Sequence, residues 1–467
     1  MLSDFLAKQI TAQLPFSPTE EQRFCIERLA VFCTNPVQNQ VFVLKGYAGT
    51  GKTSVMSALV RAMRNLKQGV VLLAPTGRAA KIFAHYSDNE ACSIHKKIYK
   101  QKSIADFRFV LDYNKHKNTL FIVDEASMIA NNYQDSSIFG SGRLLDDLIE
   151  YVYQSEHCKM ILLGDTAQLL PVYQDFSPAL DKKILQQFNL EVEEFLLTEV
   201  VRQAANSGIL YNATKIRNLL EKPTFEIPKI NLQFPDIQSI TSTELIDCIY
   251  QSYREVSETN TIIVTRSNKR ANTFNNGIRS QVLQRDSELS SGDLLMIVKN
   301  NYFWTEKYNQ LNFIANGDIA EVVRVRKHTE LYGFRFADVT LQLLDYEIEI
   351  ECKILLDSIS APTPADNDVL GKKLFTEVEQ DYLHIGNKRQ RYLQLRENQY
   401  LNALQAKFSY AITCHKAQGG QWQHVYIDCG YLDENHQNKE FLQWLYTAFT
   451  RAQNKLFLIN FKKEFLK

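Results

Sequence analysis

The stretch that most restricts how this chain can fold is Gly46-Tyr-Ala-Gly-Thr-Gly51-Lys52-Thr53. It stands between an apolar run of strand length, Val41–Leu44, and a stretch with helical spacing, Ser54–Arg64. A glycine-rich turn from a buried strand into a helix aims consecutive backbone N–H groups at one point, and the helix N-terminus adds positive potential there. Glycine at such a turn lets the backbone wrap a β-phosphate, Lys52 reaches the β/γ oxygens, and the Thr53 hydroxyl can hold Mg2+. The stretch therefore predicts an ATP site built from Gly49, Thr50, Gly51, Lys52, Thr53 and Ser54.

Further short apolar runs follow at Val70–Ala74, Leu120–Val123 and Met160–Leu163, separated by helical stretches. Alternating buried strands and helices predict a parallel sheet covered on both faces. A second set begins at Thr261–Val264 and closes with Val425–Asp428 and Leu456–Ile459, which predicts a second α/β unit. Between them, from Gly292 to about Asp357, β-branched and aromatic residues alternate, with turn signals at Asn316-Gly317-Asp318 and Tyr332-Gly333. That texture predicts a small antiparallel barrel, followed by a polar helical stretch from about Lys372 to Lys407.

Two later strand ends carry chemistry. Leu120–Val123 runs into Asp124-Glu125, where one carboxylate can hold Mg2+ and its neighbour can polarise an attacking water. Met160–Leu163 runs into Gly164-Asp165-Thr-Ala-Gln168, so Gln168 is either a γ-phosphate sensor or simply part of a turn.

Composition narrows the class. The 467 residues are 45% hydrophobic and 23% charged, which excludes a mainly disordered chain. With 53 Lys+Arg against 53 Asp+Glu the molecule is not a polycation, so any nucleic-acid site must be local. No apolar run approaches the ~20 residues of a membrane span, and the start lacks the layout of a secretion signal, so a cytoplasmic protein without membrane contact is expected. Eight scattered cysteines show no zinc-ligand spacing, and nothing suggests an obligate oligomer.

In order, the phosphate loop, Asp-Glu-Ala-Ser (124–127) and Gly-Asp-x-x-Gln (164–168) resemble motifs I, II and III of superfamily 1 helicases. The likeness continues through Ala74-Pro-Thr-Gly-Arg-Ala-Ala80, Leu197-Thr-Glu-Val-Val-Arg202-Gln203, Ala411-Ile-Thr-Cys-His415-Lys-Ala-Gln-Gly419 and Tyr446-Thr-Ala-Phe-Thr-Arg451-Ala. Ser93-Ile-His95 and His415-Lys-Ala-Gln-Gly resemble the RecD/Dda/Pif-like branch, superfamily 1B. The resemblance implies two tandem RecA-like domains, 1–195 and 196–467. It further implies a β-hairpin pin inserted at about 85–118 of the first, and an SH3-like barrel plus helices at about 292–407 of the second.

The functional implications are equally specific. They are ATP- and Mg2+-dependent 5′→3′ movement on single-stranded DNA, and unwinding at single/double-strand junctions by a monomer. RNA unwinding, or nucleic-acid-stimulated ATPase activity without strand separation, remains the alternative. Lys52, Asp124, Glu125, Gln168 and two finger arginines, Arg202 and Arg451, would carry catalysis, with Thr53 and Asp124 holding the metal. Gln22, in Thr19-Glu-Glu-Gln22, resembles an adenine-reading residue, and Gln421 stands where relatives place an acidic ribose ligand. Thr76, His95, Thr413 and His415 would contact DNA phosphates.

Local charge is compatible with that track. Residues 85–118 and 371–407 each hold seven Lys/Arg against four acids, a net of +3 apiece. In the first, Phe107–Val110 with a turn at about Asn114 could form the pin, and Phe107, Phe109 and Tyr113 are candidates to stack at the fork.

Overall fold

The protein is described by a computed structural model covering residues 2–103, 106–132, 139–171, 174–200, 207–305, 307–308, 311, 313–361, 364–430 and 438–467. Val201 and Arg202 lie outside the described residues, as does the Phe107 side chain.

The N-terminal sheet contains β1 (Gln40–Gly46), β2 (Gly69–Ala74) and β3 (Ala91–Ser93). A hairpin of β4 (Tyr99–Ser103) and β5 (Asp106–Leu111) interrupts it before β6 (Thr119–Val123), β7 (Lys159–Gly164) and β8 (Glu191–Leu197). The order is β3-β2-β6-β7-β1-β8, parallel throughout. Apolar runs are needed on such strands because both faces are covered. Val41 and Val43 of β1 pack into one core cluster, Phe42 and Leu44 into the other, and all four are fully buried. This order sets the loops after β1, β7 and β6 side by side at the carboxyl edge, where open α/β sheets place their ligands.

A second parallel sheet has the order β16 (Ala411–Thr413), β10 (Thr261–Thr265), β17 (Trp422–Asp428), β18 (Ala452–Ile459) and β9 (Ile237–Ile240). Inserted in it is a closed barrel of β11 (Leu294–Ile297), β12 (Ile319–Leu331), β13 (Phe334–Leu343), β14 (Ile348–Leu355) and β15 (Leu404–Phe408). The α/β class, the paired RecA-like sheets, the hairpin insert and the SH3-like barrel insert are as the sequence implied. Tyr332 (φ 58°) and Gly333 (φ 71°) join β12 to β13 in the left-handed geometry a two-residue hairpin turn requires.

Three expectations are corrected here. The barrel does not end near Asp357: β15 lies beyond the helices Pro364–Gln380 and Lys388–Glu397, and pairs with β11 and β14. Lys407 hid that strand inside an apparently polar stretch, because its buried ammonium is withdrawn onto Ala361 O at 2.6 Å.

Nor is Asn114 at the pin turn. The hairpin closes at the Ser103↔Asp106 pair, because Tyr99–Ser103 supplies the partner strand. Asn114 is buried, with Nδ2 donating to Val152 O at 3.2 Å and Oδ1 accepting from His116 N at 3.0 Å. Phe109 is not available to stack at a fork: it is 7% exposed, with ring centroids at 5.0 Å from Phe139, 4.5 Å from Tyr302 and 6.4 Å from Phe313. The hairpin is thereby docked on the segment that joins β11 to β12 of the barrel. Tyr113 stays 62% exposed.

Candidate active site

The loop after β1 adopts the conformation its glycines permit. Gly49 (φ 77°) and Gly51 (φ 82°) are both left-handed, and Gly51 caps the helix Lys52–Asn65. Lys52 Nζ donates to Gly46 O at 2.7 Å and Tyr47 O at 2.9 Å, so the ammonium already sits across the mouth of the loop. Thr50 is fully buried, with its hydroxyl donating to Tyr47 O at 2.8 Å, while Thr53 and Ser54 line the adjoining cavity.

Gln22 braces this loop from behind. It is 1% exposed, donates to Thr50 O at 3.0 Å, and accepts from Thr19 N at 3.1 Å in a capping box at the helix Glu20–Thr34. Both ends of its amide are engaged in this way, and it does not line the cavity. The capping box and the loop carbonyl thus fix where the amide stands, and one N–H and one lone pair remain for the adenine contact that the resemblance implied.

Asp124 and Glu125 follow β6. Glu125 is held at φ 51°, an uncommon conformation for a side-chain-bearing residue, and its N–H donates to Asp124 Oδ1 at 2.8 Å. Burial, reinforced by the Glu125 charge, pushes the Asp124 carboxyl up to about 7. A divalent cation would oppose that rise. The Thr53 hydroxyl and the Asp124 carboxylate line one cavity, and few protein oxygens plus waters and substrate phosphates are the ligands Mg2+ prefers. Among the described residues no cluster of three or more His, Cys, Asp or Glu could hold a different kind of metal site.

Gln168, after β7, is 6% exposed and lines the same cavity, and its Oε1 is buried without a hydrogen-bond partner. A native polar atom left in that state usually has a ligand or water to meet.

The cavity, about 1000 Å3, is walled by both sheets' loops. From the first come Gly49, Lys52, Thr53, Asp124, Glu125 and Gln168, and from the second Gln421 and Arg451. The Arg451 guanidinium is buried and fixed by Thr447 O at 3.0 Å, Gly420 O at 3.2 Å and Thr450 Oγ1 at 3.0 Å. Gln421 accepts from Gln453 Nε2 at 2.9 Å. Thus Lys52, Thr53, Asp124, Glu125, Gln168, Gln421 and Arg451 are brought together; Arg202 is not among the described residues.

The DNA-contact candidates are more varied. Thr76 caps the helix Gly77–Ser87 through Ala79 N at 3.2 Å. Gly419 (φ 71°) approaches it from the other lobe, and a Cβ there would lie 2.9 Å from Ala79 Cβ and 3.5 Å from Thr76 Oγ1. Thr413 caps the helix Cys414–Ala417 without a side-chain hydrogen bond, and His415 is exposed. His95 differs: its ring packs against Phe139 (4.9 Å) and Tyr99 (5.7 Å), and burial pulls its pKa down to about 4. It is therefore neutral at pH 7, able to hydrogen-bond a phosphate but not to neutralise one.

Sequence reasoning passed over Tyr446 and Arg217. Tyr446 is 1% exposed yet touches the phosphate loop, with Ala48 N donating to its hydroxyl at 2.8 Å. The signal was a tyrosine in an otherwise buried helix, since a buried phenol must find partners. The Arg217 guanidinium lies 4.2 Å from the Tyr47 ring centroid, a contact with no local sequence trace.

A parallel-sheet lobe with a phosphate loop, faced across a cavity by an arginine of a second such lobe, defines a P-loop ATPase of tandem RecA-like architecture. Residues 19–219 match the AAA domain family, and residues 408–459 match the UvrD-like helicase C-terminal domain. The chain is 25% identical to the ATP-dependent DNA helicase dda of Enterobacteria phage T4 over 54% of this chain and 55% of that one. It is 23% identical to the ATP-dependent RecD2 DNA helicase of Deinococcus radiodurans, over 94% of this chain and 48% of the relative. It thus spans about half the length of these two curated relatives. A crystal structure of Pif1 helicase from Bacteroides in complex with ADP-AlF3 and ssDNA aligns over 97% of this chain and 95% of that one, at 16% identity and TM-score 0.48. By these matches the chain is similar to AAA-domain ATPases in its N-terminal part and to UvrD-like helicases near its C-terminus, and its relatives include ATP-dependent DNA helicases of the RecD and Dda kind. Among the described residues no helix is long and apolar enough to cross a membrane.

Proposed function

We propose that this chain hydrolyses ATP to move 5′→3′ along single-stranded DNA and to separate strands at single/double-strand junctions, acting as a cytoplasmic monomer. One observation carries the reading: a single cavity is lined by the phosphate loop and carboxylates of one lobe and by Arg451 of the other. We take the lobes as 1–195 and 196–467, with the pin at about 85–118 and the barrel and helices at about 292–407.

In this reading the loop N–H groups and Lys52 hold the β- and γ-phosphates, and Glu125 polarises the attacking water. Gln168 Oε1 is an acceptor for that water, leaving its amide N–H2 for the γ-phosphate. Arg451 stabilises the charge that develops on the transferring phosphoryl group, most effectively in a closed, water-poor cleft. Thr53 and Asp124 would hold Mg2+, which when bound supplies charge neutralisation at the β/γ oxygens. Because catalytic groups come from both lobes, the nucleotide state sets the angle between them. Thr76 and His95 on one lobe, with Thr413 and His415 on the other, then grip phosphates alternately, independent of base sequence.

The test is ATP turnover with single-stranded DNA, with RNA and with neither, followed by strand displacement on duplexes bearing a 5′ or a 3′ tail. DNA-stimulated turnover and displacement from the 5′ tail are expected. Displacement only from a 3′ tail reverses the polarity, and turnover without displacement from either reduces the protein to a nucleic-acid-stimulated ATPase.

A further inference from the structure

Tyr446 and Thr447 are consecutive on the buried helix Lys439–Phe449 of the C-terminal lobe, and both reach into the N-terminal one. The Tyr446 hydroxyl accepts from Ala48 N of the phosphate loop at 2.8 Å and donates to Asp165 Oδ2 at 2.6 Å. Its single proton is thereby committed to Asp165, which is 2% exposed. The other Asp165 oxygen accepts from Ala167 N at 2.9 Å and shapes the short loop after β7.

Four residues on, the same loop is held again. Leu169 N donates to Thr447 Oγ1 at 2.8 Å, and Leu169 O accepts from Gln418 Nε2 at 2.8 Å. Gln168, whose Oε1 has no partner, therefore sits on a loop of the N-terminal lobe tied at both ends by side chains of the C-terminal lobe. Thr447 is fully buried and Gln418 is 7% exposed, so water does not compete for these bonds. A charge-assisted bond such as Tyr446–Asp165 is both short and strong in such surroundings.

We propose that Tyr446 and Thr447 are positioning residues for hydrolysis, setting where Gln168 stands relative to the phosphate loop according to the angle of the C-terminal lobe. This inference rests on the motor reading above and names the contacts that would carry its coupling. Tyr446 links three groups that have to move together: the start of the phosphate loop, the Gln168 loop and the helix that ends two residues before Arg451. Displacing a catalytic group by an ångström from a site remote to the chemistry can slow the reaction by two orders of magnitude.

The test uses the full chain and five variants: Tyr446→Phe, Asp165→Asn, their double combination, and Thr447→Val with Thr447→Ser as its conservative partner. With saturating single-stranded DNA, Tyr446→Phe and Thr447→Val are expected to lower kcat by about tenfold or more, with the equilibrium affinity for a fluorescent ATP analogue within about twofold of wild type. Thr447→Ser, which keeps the hydroxyl, should stay near wild type. If Tyr446 acts through Asp165, the double variant loses no more than the worse single one.

Wild-type kcat in Tyr446→Phe overturns the inference. So does loss of nucleotide affinity in parallel with kcat, or full additivity in the double variant, since either marks a role confined to packing. Failure of DNA to stimulate the wild-type enzyme is a separate result, and it overturns the functional reading on which the relay rests.

Discussion

Replacing Phe109 by alanine should uncouple strand separation from ATP turnover. The hairpin of β4 and β5 is a two-stranded element, and such elements are marginal on their own. The side chain of Phe109 fastens it from both sides, packed against Phe139 of its own lobe and against Tyr302 and Phe313 beside the barrel, alongside the Gly140 N–H bond to Phe109 O and the Tyr99 bond to Asp147. Each aromatic pair contributes ~0.5–1.5 kcal/mol beyond area burial. Truncating a buried phenylalanine costs about 3–5 kcal/mol in all. If that loss is felt locally, undocking of the hairpin becomes roughly a hundredfold or more easier, at tenfold per 1.4 kcal/mol.

The nucleotide cavity contains none of these rings, so ATP chemistry should be spared. The assay compares duplex displacement with DNA-stimulated ATPase in the same preparation, and Phe109→Leu serves as a milder step that preserves most of the burial. Displacement should fall at least tenfold in the alanine variant while turnover changes less than about twofold, and the leucine variant should lie between. Equal loss of both activities, or unchanged displacement, would refute the claim that hairpin docking serves separation.

Three further outcomes follow from the geometry. Lys52→Ala removes the ammonium poised over the loop carbonyls and should abolish turnover while single-strand binding survives; binding lost along with hydrolysis in a gel-shift assay would indicate misfolding instead. Arg451→Ala should lower kcat by about 10^2-fold or more while raising KM for ATP far less, as for a group used mainly in the transition state, and normal turnover would remove Arg451 from the finger role. For His95, the unfolded ring takes up a proton near the ordinary 6.5 but the folded ring only near about 4, so folding stability is lost as pH falls through that window. The wild-type melting temperature should therefore drop more between pH 7 and pH 5 than that of His95→Phe; equal drops would contradict the burial of that ring.

Much of the site was legible without coordinates because its chemistry is local. A glycine-rich turn, a lysine and a hydroxyl within eight residues dictate one backbone shape, and fully apolar strand runs announce a covered parallel sheet. Asp124, Glu125 and Gln168 were findable because each stands just past such a run. The sequence is silent where a residue's partner lies far away in the chain. Gln22 has the same identity whether it faces a base or the Thr50 carbonyl, and β15 reads as polar until Lys407 is seen reaching Ala361.

Residue types and their spacing were thus enough to settle the class of fold, the phosphate loop and the acids behind it, since backbone propensity and apolar periodicity act over a few positions. Which groups meet across the cleft was decided only by packing. Tyr446 touching Ala48, Arg451 entering the cavity, and Phe109 buried against Tyr302 join positions some two hundred to four hundred residues apart. Such contacts leave no periodic trace, because their energy depends on where two separately folded cores come to rest against each other.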